Sequence, residues 1–201
     1  VKGLSTRGAV YGRVGGLIVN RLWKETPSAR ALRAQLRGAL SREAGTVPEL
    51  WDLTLDGRPG YLGDEPTRGE KAVHGALTLW ALHQGSNTRP MHDTSDRPRS
   101  FASAIRVVAE GQSGDKRAEE TPIYRRFSAA VQAPTFGGLL VHLRSLVSQL
   151  EAAVIPCDYA QLAADLYTWQ DPRHRTSVMR NWGRQFARPA ETIQTDSASD
   201  E

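Results

Sequence analysis

The chain of 201 residues has one cysteine, Cys157. A single thiol excludes a disulfide framework and any zinc site built on cysteine pairs. It has no apolar run near the roughly 18 residues that a membrane span needs. Gly15 to Val19 is the most apolar stretch near the start. It is too short for a signal sequence and is followed by Asn20, Arg21 and Lys24. These absences point to an intracellular, cytoplasmic protein with no membrane partner. Lysine is also scarce: of 26 basic residues only Lys2, Lys24, Lys71 and Lys116 are lysine. The rest are arginine, whose planar fork of five donors grips phosphate in a bidentate way and stacks on bases.

Catalytic signatures are lacking too. The five histidines, His74, His83, His92, His142 and His174, include no His-Glu-x-x-His pair and no spacing for a metal triad. His92 is expected to be solvated in a mobile loop. Ser113-x-x-Lys116 has the spacing of a nucleophile motif, but lies in a glycine-rich stretch rather than at a rigid helix start. No Walker-type phosphate loop is present, and Gly12 to Gly16 has neither a dinucleotide-binding spacing nor a strand before it. No cofactor, metal or catalytic residue is therefore assigned.

What is present is helical periodicity. Residues 1–9 are expected to fray, with a helix from Val10 to Trp23 in spite of Gly12, Gly15 and Gly16. Thr26-Pro27 opens a second helix, since Thr caps a first turn and Pro suits the first helical position. Its buried stripe is Leu32, Leu36 and Leu40, beside a row of Arg30, Arg33 and Arg37. Val47 to Leu53 reads as a short helical piece and Asp56 to Pro66 as a loop. Thr67 and Glu70 form a capping box before a helix that buries Val73, Leu77 and Trp80. Residues 85–99 form a long polar loop carrying Arg89, Arg97 and Arg99. A short helix follows from Ser100 to Glu110.

Residues 111–120 read as a linker. Beyond it come a helix with Ile123, Phe127 and Val131 inward, and one with Phe136, Leu139, Leu140, Leu143, Val147 and Leu150 inward. The last two helices meet at Asp171-Pro172, a stop and a restart. Tyr159, Leu162, Leu166 and Trp169 make the stripe of the first, and Val178, Trp182 and Phe186 that of the second. Arg173, Arg180 and Arg184 lie opposite. The expected fold is all-α, in two helical bundles: residues 1–110, a linker at 111–120, residues 121–188, and a disordered acidic tail at 189–201.

Charge is uneven along this frame. Residues 1–50 hold nine Lys/Arg against three Asp/Glu, and residues 121–190 hold eight against four. The stretch between them is mildly acidic, and the tail carries four acids and no base. Arginine rows on several helices, without acids on the same face, favour a polyanionic partner.

The motifs carry a family resemblance. Y-R-R-F (124–127), L-L-V-H-L-R-S-L-V (139–147), the segment 155–169 and V-M-R-N-W-G-R-Q-F (178–186), with A-L-R-A-Q-L-R (31–37), resemble the CasB family. This is the small subunit of the type I-E CRISPR surveillance complex, Cascade. The likeness spans most of residues 20–188 and is weakest at 41–66 and 85–99. One departure is Ala187, where the pattern calls for an aromatic. The resemblance implies two helical bundles, no catalysis, and two copies head to tail in a complex that carries guide RNA with other Cascade subunits. It also implies a basic surface that holds target and displaced DNA strands. The family's DNA-contacting positions match Arg33, Arg125, Arg126 and Arg144, with Arg97 and Arg99 in the loop. The charge rows add Arg30, Arg37, Arg180 and Arg184. Two readings compete with this one. The first is a structural scaffold whose arginines face neighbouring proteins. The second is a helical enzyme built around the 85–99 loop.

Overall fold

The computed structural model describes residues 3–56 and 63–188. The expected acidic tail, residues 1–2 and most of the 56–66 loop lie outside them. The described residues form nine α-helices and no strand. They are α1 (Arg7–Leu17), α2 (Pro27–Gly38), α3 (Trp51–Thr54), α4 (Arg68–Gln84), α5 (Phe101–Ser113), α6 (Pro122–Val131), α7 (Phe136–Ala153), α8 (Tyr159–Trp169) and α9 (Pro172–Ala187). Their starts are chemically marked. Thr6, Thr26, Thr67, Ser100, Thr121, Thr135, Asp158 and Asp171 each accept a free N–H of the first turn. Thr67 and Glu70 complete the capping box reciprocally.

The first helix differs from expectation at both ends. It begins at Arg7 and closes in a π-helical turn over Ile18–Leu22. The residues before it are pinned: Leu4 is buried, and its N–H donates to Asp56 Oδ2 at 2.7 Å. A Cβ at Gly69 would lie 2.0 Å from the Leu4 carbonyl oxygen, so α4 and this segment touch backbone to backbone. Gly15 serves a similar approach, since its Cβ would meet Ala160 Cβ at 3.3 Å across the α1–α8 contact. Gly15 weakens α1 locally and allows its packing on α8.

Helix α4 is the centre of the molecule. It packs against α1, α2, α7 and α8, and is buried on nearly every face. Two packing groups result. One holds α1, α2, α4 and α8; the other holds α5, α6, α7 and α9, and the α4–α7 and α8–α9 contacts join them. The groups do not follow chain order: α5 precedes residues 111–120 yet packs on α6, α7 and α9, while α8 returns to α1 and α4. One continuous apolar cluster runs through both groups. The 111–120 segment folds back rather than spanning a gap. Arg106 binds Glu110 at 2.6 Å and Glu119 at 2.7 Å, which holds the Ala118–Glu120 turn against α5.

The 85–99 loop is fixed, contrary to the expected mobility. Cys157 N–H donates to Met91 O and Asp93 N–H to Cys157 O, making an isolated bridge to the α7–α8 connection. Asp158 N–H donates to Arg99 O at 2.7 Å. His92 is buried, and its Nδ1 accepts from Tyr159 N–H at 3.2 Å. It is therefore not solvated. Period and composition alone do not reveal such an anchor.

Nearby, His83 is fully buried and its Nδ1 lies 2.9 Å from the Tyr159 hydroxyl. Burial pushes its pKa down to about 4. The unfolded chain titrates this imidazole near pH 6.5, so it takes up the proton first as pH falls. Stability from neutral His83 is therefore complete above about pH 6.5 and is lost as pH falls toward 4. Between pH 7 and pH 5 the loss from this group is about 2 kcal/mol. Melting at the two pH values is expected to show a difference smaller by that amount in His83→Gln. Equal differences in the two proteins would contradict this assignment.

Candidate nucleic-acid interface

The arginines of α2 do not share one role. Ala29, Arg33 and Leu36 face inward. Arg33 Nη1 donates to Leu22 O at 2.7 Å and Lys24 O at 3.2 Å, and Nη2 reaches Glu25 at 3.5 Å. The guanidinium thus closes the turn between the π-helical segment and α2. Arg30 and Arg37 remain exposed. With Arg33, Trp23, Glu25, Gln84 and residues 85–88 they line a cavity of about 510 Å³. Arg33→Ala is expected to cost about 2 kcal/mol, because two carbonyls lose their donor. A melt unchanged by Arg33→Ala would show that the side chain holds nothing.

Arg144 opens onto a larger groove. Residues 40–44, α4, the start of α7, Gln170 and Arg175 enclose about 840 Å³. Five cations line it: Arg42, Arg68, Lys71, Arg144 and Arg175. Glu43 is the one acid among its lining residues. Two cations are fixed from behind. Arg175 lies 4.0 Å over the Trp169 ring and donates to Pro134 O at 3.2 Å. Arg68 lies 5.2 Å over the Tyr167 ring and reaches Asp171 at 3.2 Å. Asp171 also binds Arg173 at 2.9 Å, and that hydrogen-bonded guanidinium holds the carboxyl far below the usual carboxylate range. So Arg173 is neutralised rather than part of a free row.

The remaining three face the groove with little competition. Arg42 and Arg144 have no carboxylate partner among the described residues, and Lys71 has only Glu65 at 3.9 Å, a surface pair of small value. His74 sets the position of Arg42. Its Nε2 donates to Ala39 O at 3.2 Å and Arg42 O at 3.0 Å, tying the end of α2 to α4. Burial lowers the pKa of this imidazole, so it serves as a neutral donor.

The other sequence-derived residues lie elsewhere. Arg125 and Arg126 are exposed on α6, and Arg180 and Arg184 on α9; none lines either cavity. Arg97 is exposed in the loop. Arg99 is half-buried and anchored through its backbone, its N–H on Asp93 and its carbonyl accepting from Asp158. Sequence reasoning missed Arg42, Arg68, Lys71 and Arg175. Arg68 and Lys71 share the first turn of α4, but Arg42 lies after α2 and Arg175 on α9, so no one periodic row marks the set.

Among the described residues no cluster of three or more His, Cys, Asp or Glu side chains could hold a metal ion. Cys157 is buried, and burial pushes its thiol far above the usual range, which leaves it unreactive. No helix among the described residues is long and apolar enough to cross a membrane.

The fold has known counterparts. CasB of Thermobifida fusca is 29% identical, with a TM-score of 0.65, covering 90% of this chain and 96% of its own. A Cse2-family protein of Thermus thermophilus is 22% identical, with a TM-score of 0.60 over 90% of this chain and 96% of its own. CasB of M. ruber is 21% identical, with a TM-score of 0.58 over 90% and 92%. No match is found among curated proteins. Residues 32–186 match the family described as CRISPR-associated protein Cse2. That match covers most of the chain, from α2 to the end of α9, and the chain therefore belongs to the Cse2/CasB family of CRISPR-associated proteins, a family of Cascade subunits.

Proposed function

We propose that this chain is a non-catalytic, nucleic-acid-holding subunit of an RNA-guided antiviral complex of type I-E. In this reading it works in the cytoplasm beside a second copy of itself and the other Cascade subunits that carry the guide RNA. It stabilises the R-loop by gripping target and displaced DNA strands. The groove beside Arg144 carries the reading, with five cations against one acid on rigid elements. Such an array binds phosphates without reading bases, because guanidinium and ammonium groups meet only the backbone. Forming the guide–target heteroduplex nearly balances the duplex lost, so modest backbone contacts can tip the exchange. Arg30 and Arg37 extend the basic surface at the smaller cavity.

A scaffold role is favoured for one set of residues. Arg125, Arg126, Arg180 and Arg184 lie on outer helix faces away from both cavities, where contact with an acidic neighbouring protein needs no groove. Titrating salt against binding of single-stranded DNA separates the two readings. Strand holding predicts affinity that falls linearly on a log–log plot, with a slope of about −0.7 per phosphate engaged. A pure scaffold predicts no binding at any salt.

A further inference from the structure

The large groove is not only basic. Its floor is apolar, built from Leu40, Phe136, Leu140 and Val141. Val141 is 69% exposed, the most exposed of the large hydrophobic residues named on the described surface. Phe136 is half-buried, its ring tilted on Trp169 at 6.1 Å. Beside them Gly137 leaves open space: a Cβ there would meet nothing within 4 Å. On α7, Phe136, Leu140 and Arg144 fall at i, i+4 and i+8, one stripe about 12 Å long, and Val141 lines the groove from the flank of that stripe.

Charge alone does not account for this floor. A duplex keeps its bases stacked inside and presents phosphates, which an apolar strip cannot contact with profit. A single strand presents both a phosphate line and free base faces, and suits a basic track beside an aromatic platform such as Phe136. Resting on the strand-holding reading above, we infer that the groove selects unstacked single-stranded nucleic acid. A base stacks on Phe136 with Val141 giving apolar contact at its edge, and its flanking phosphates meet Arg144, Arg42 and Lys71. Val141 is then a specificity-determining residue, although it carries no charge.

The test compares three probes of equal length: oligothymidine, an abasic phosphodiester of the same charge, and duplex DNA. Wild-type full-length chain is expected to bind oligothymidine roughly tenfold more tightly than the abasic strand. Val141→Ser, at an exposed position that should leave folding intact by thermal melt, is expected to narrow the preference for oligothymidine over the abasic strand by several-fold, with Phe136 still in place. Arg144→Ala is expected to weaken both equally and to flatten the salt slope by about 0.7. Equal wild-type affinity for the two strands, with Arg144→Ala still weakening both, would overturn the base platform and leave strand holding in place. Tighter binding of duplex than of oligothymidine would also overturn it. Binding of no probe at any salt would overturn the strand-holding reading, and the inference with it.

Discussion

Trp182→Ala is expected to lower the unfolding free energy by about 3–5 kcal/mol, the range for emptying a buried tryptophan site. The side chain is fully buried in the second packing group, with Phe101 at 6.0 Å and Phe127 at 6.4 Å between ring centroids. It also has a polar duty. Its Nε1–H donates to Asp165 Oδ2 at 2.8 Å, linking α9 to α8. Asp165 is itself buried, and that burial raises its pKa; Gln161 donates to its other oxygen at 2.7 Å, and Arg7 lies 3.7 Å away. Alanine would leave both a cavity and an under-satisfied carboxyl, which places the loss toward the upper end of the range. Trp182→Phe separates the two parts. It keeps most of the ring volume and removes the donor, with an expected loss of about 1–3 kcal/mol. Chemical denaturation of both variants checks the pair of values. If phenylalanine is as damaging as alanine, the hydrogen bond dominates; if neither shifts the midpoint, α9 does not pack as described.

The second large effect is on binding. Replacing Arg42, Lys71 and Arg144 together by alanine is expected to weaken single-stranded DNA binding roughly 100-fold at 0.1 M salt, and to reduce the salt slope by about 2. The three side chains come from the turn after α2, from α4 and from α7, and all line the same groove. None is buried, so each substitution is expected to change stability by no more than about 0.5 kcal/mol. Arg68 and Arg175 are kept in this variant because Asp171, Tyr167, Trp169 and Pro134 already engage them. Arg125/Arg126/Arg180/Arg184→Ala removes more charge from the outer faces. Its effect on strand binding is expected to be smaller, and the reverse order would move the strand to α6 and α9.

Local chemistry made the helix boundaries readable. Thr26-Pro27, Thr67 with Glu70, and Asp171-Pro172 act within one turn, and each caps a helix where the sequence places it. The inward stripes of α6, α8 and α9 were readable for the same reason. The role of α4 was not. Its apolar stripe names one inward face, while Ala72, Gly75, Ala76 and Ala81 close the others by letting neighbouring helices approach. Arg33 shows the matching limit for the site. Spacing alone makes Arg30, Arg33 and Arg37 equivalent. The carbonyls of Leu22 and Lys24, which bury Arg33, belong to the preceding segment. Of the larger groove only Arg144 was read from the sequence, because its other cations come from the turn after α2, from α4 and from α9.

The most direct measurement is a position-specific crosslink. Val141→Cys would introduce one reactive thiol, since Cys157 is buried and its thiol stays protonated. A single-stranded oligonucleotide carrying an activated disulfide tether then reports which surface the strand touches, by thiol–disulfide exchange. Val19→Cys, also exposed and outside both cavities, serves as the control. Rapid crosslinking at position 141, suppressed by unlabelled strand and by salt and absent at position 19, is the predicted result. Equal crosslinking at the two positions, or crosslinking at 19 alone, would contradict the assignment of the Arg144 groove as the strand-holding surface.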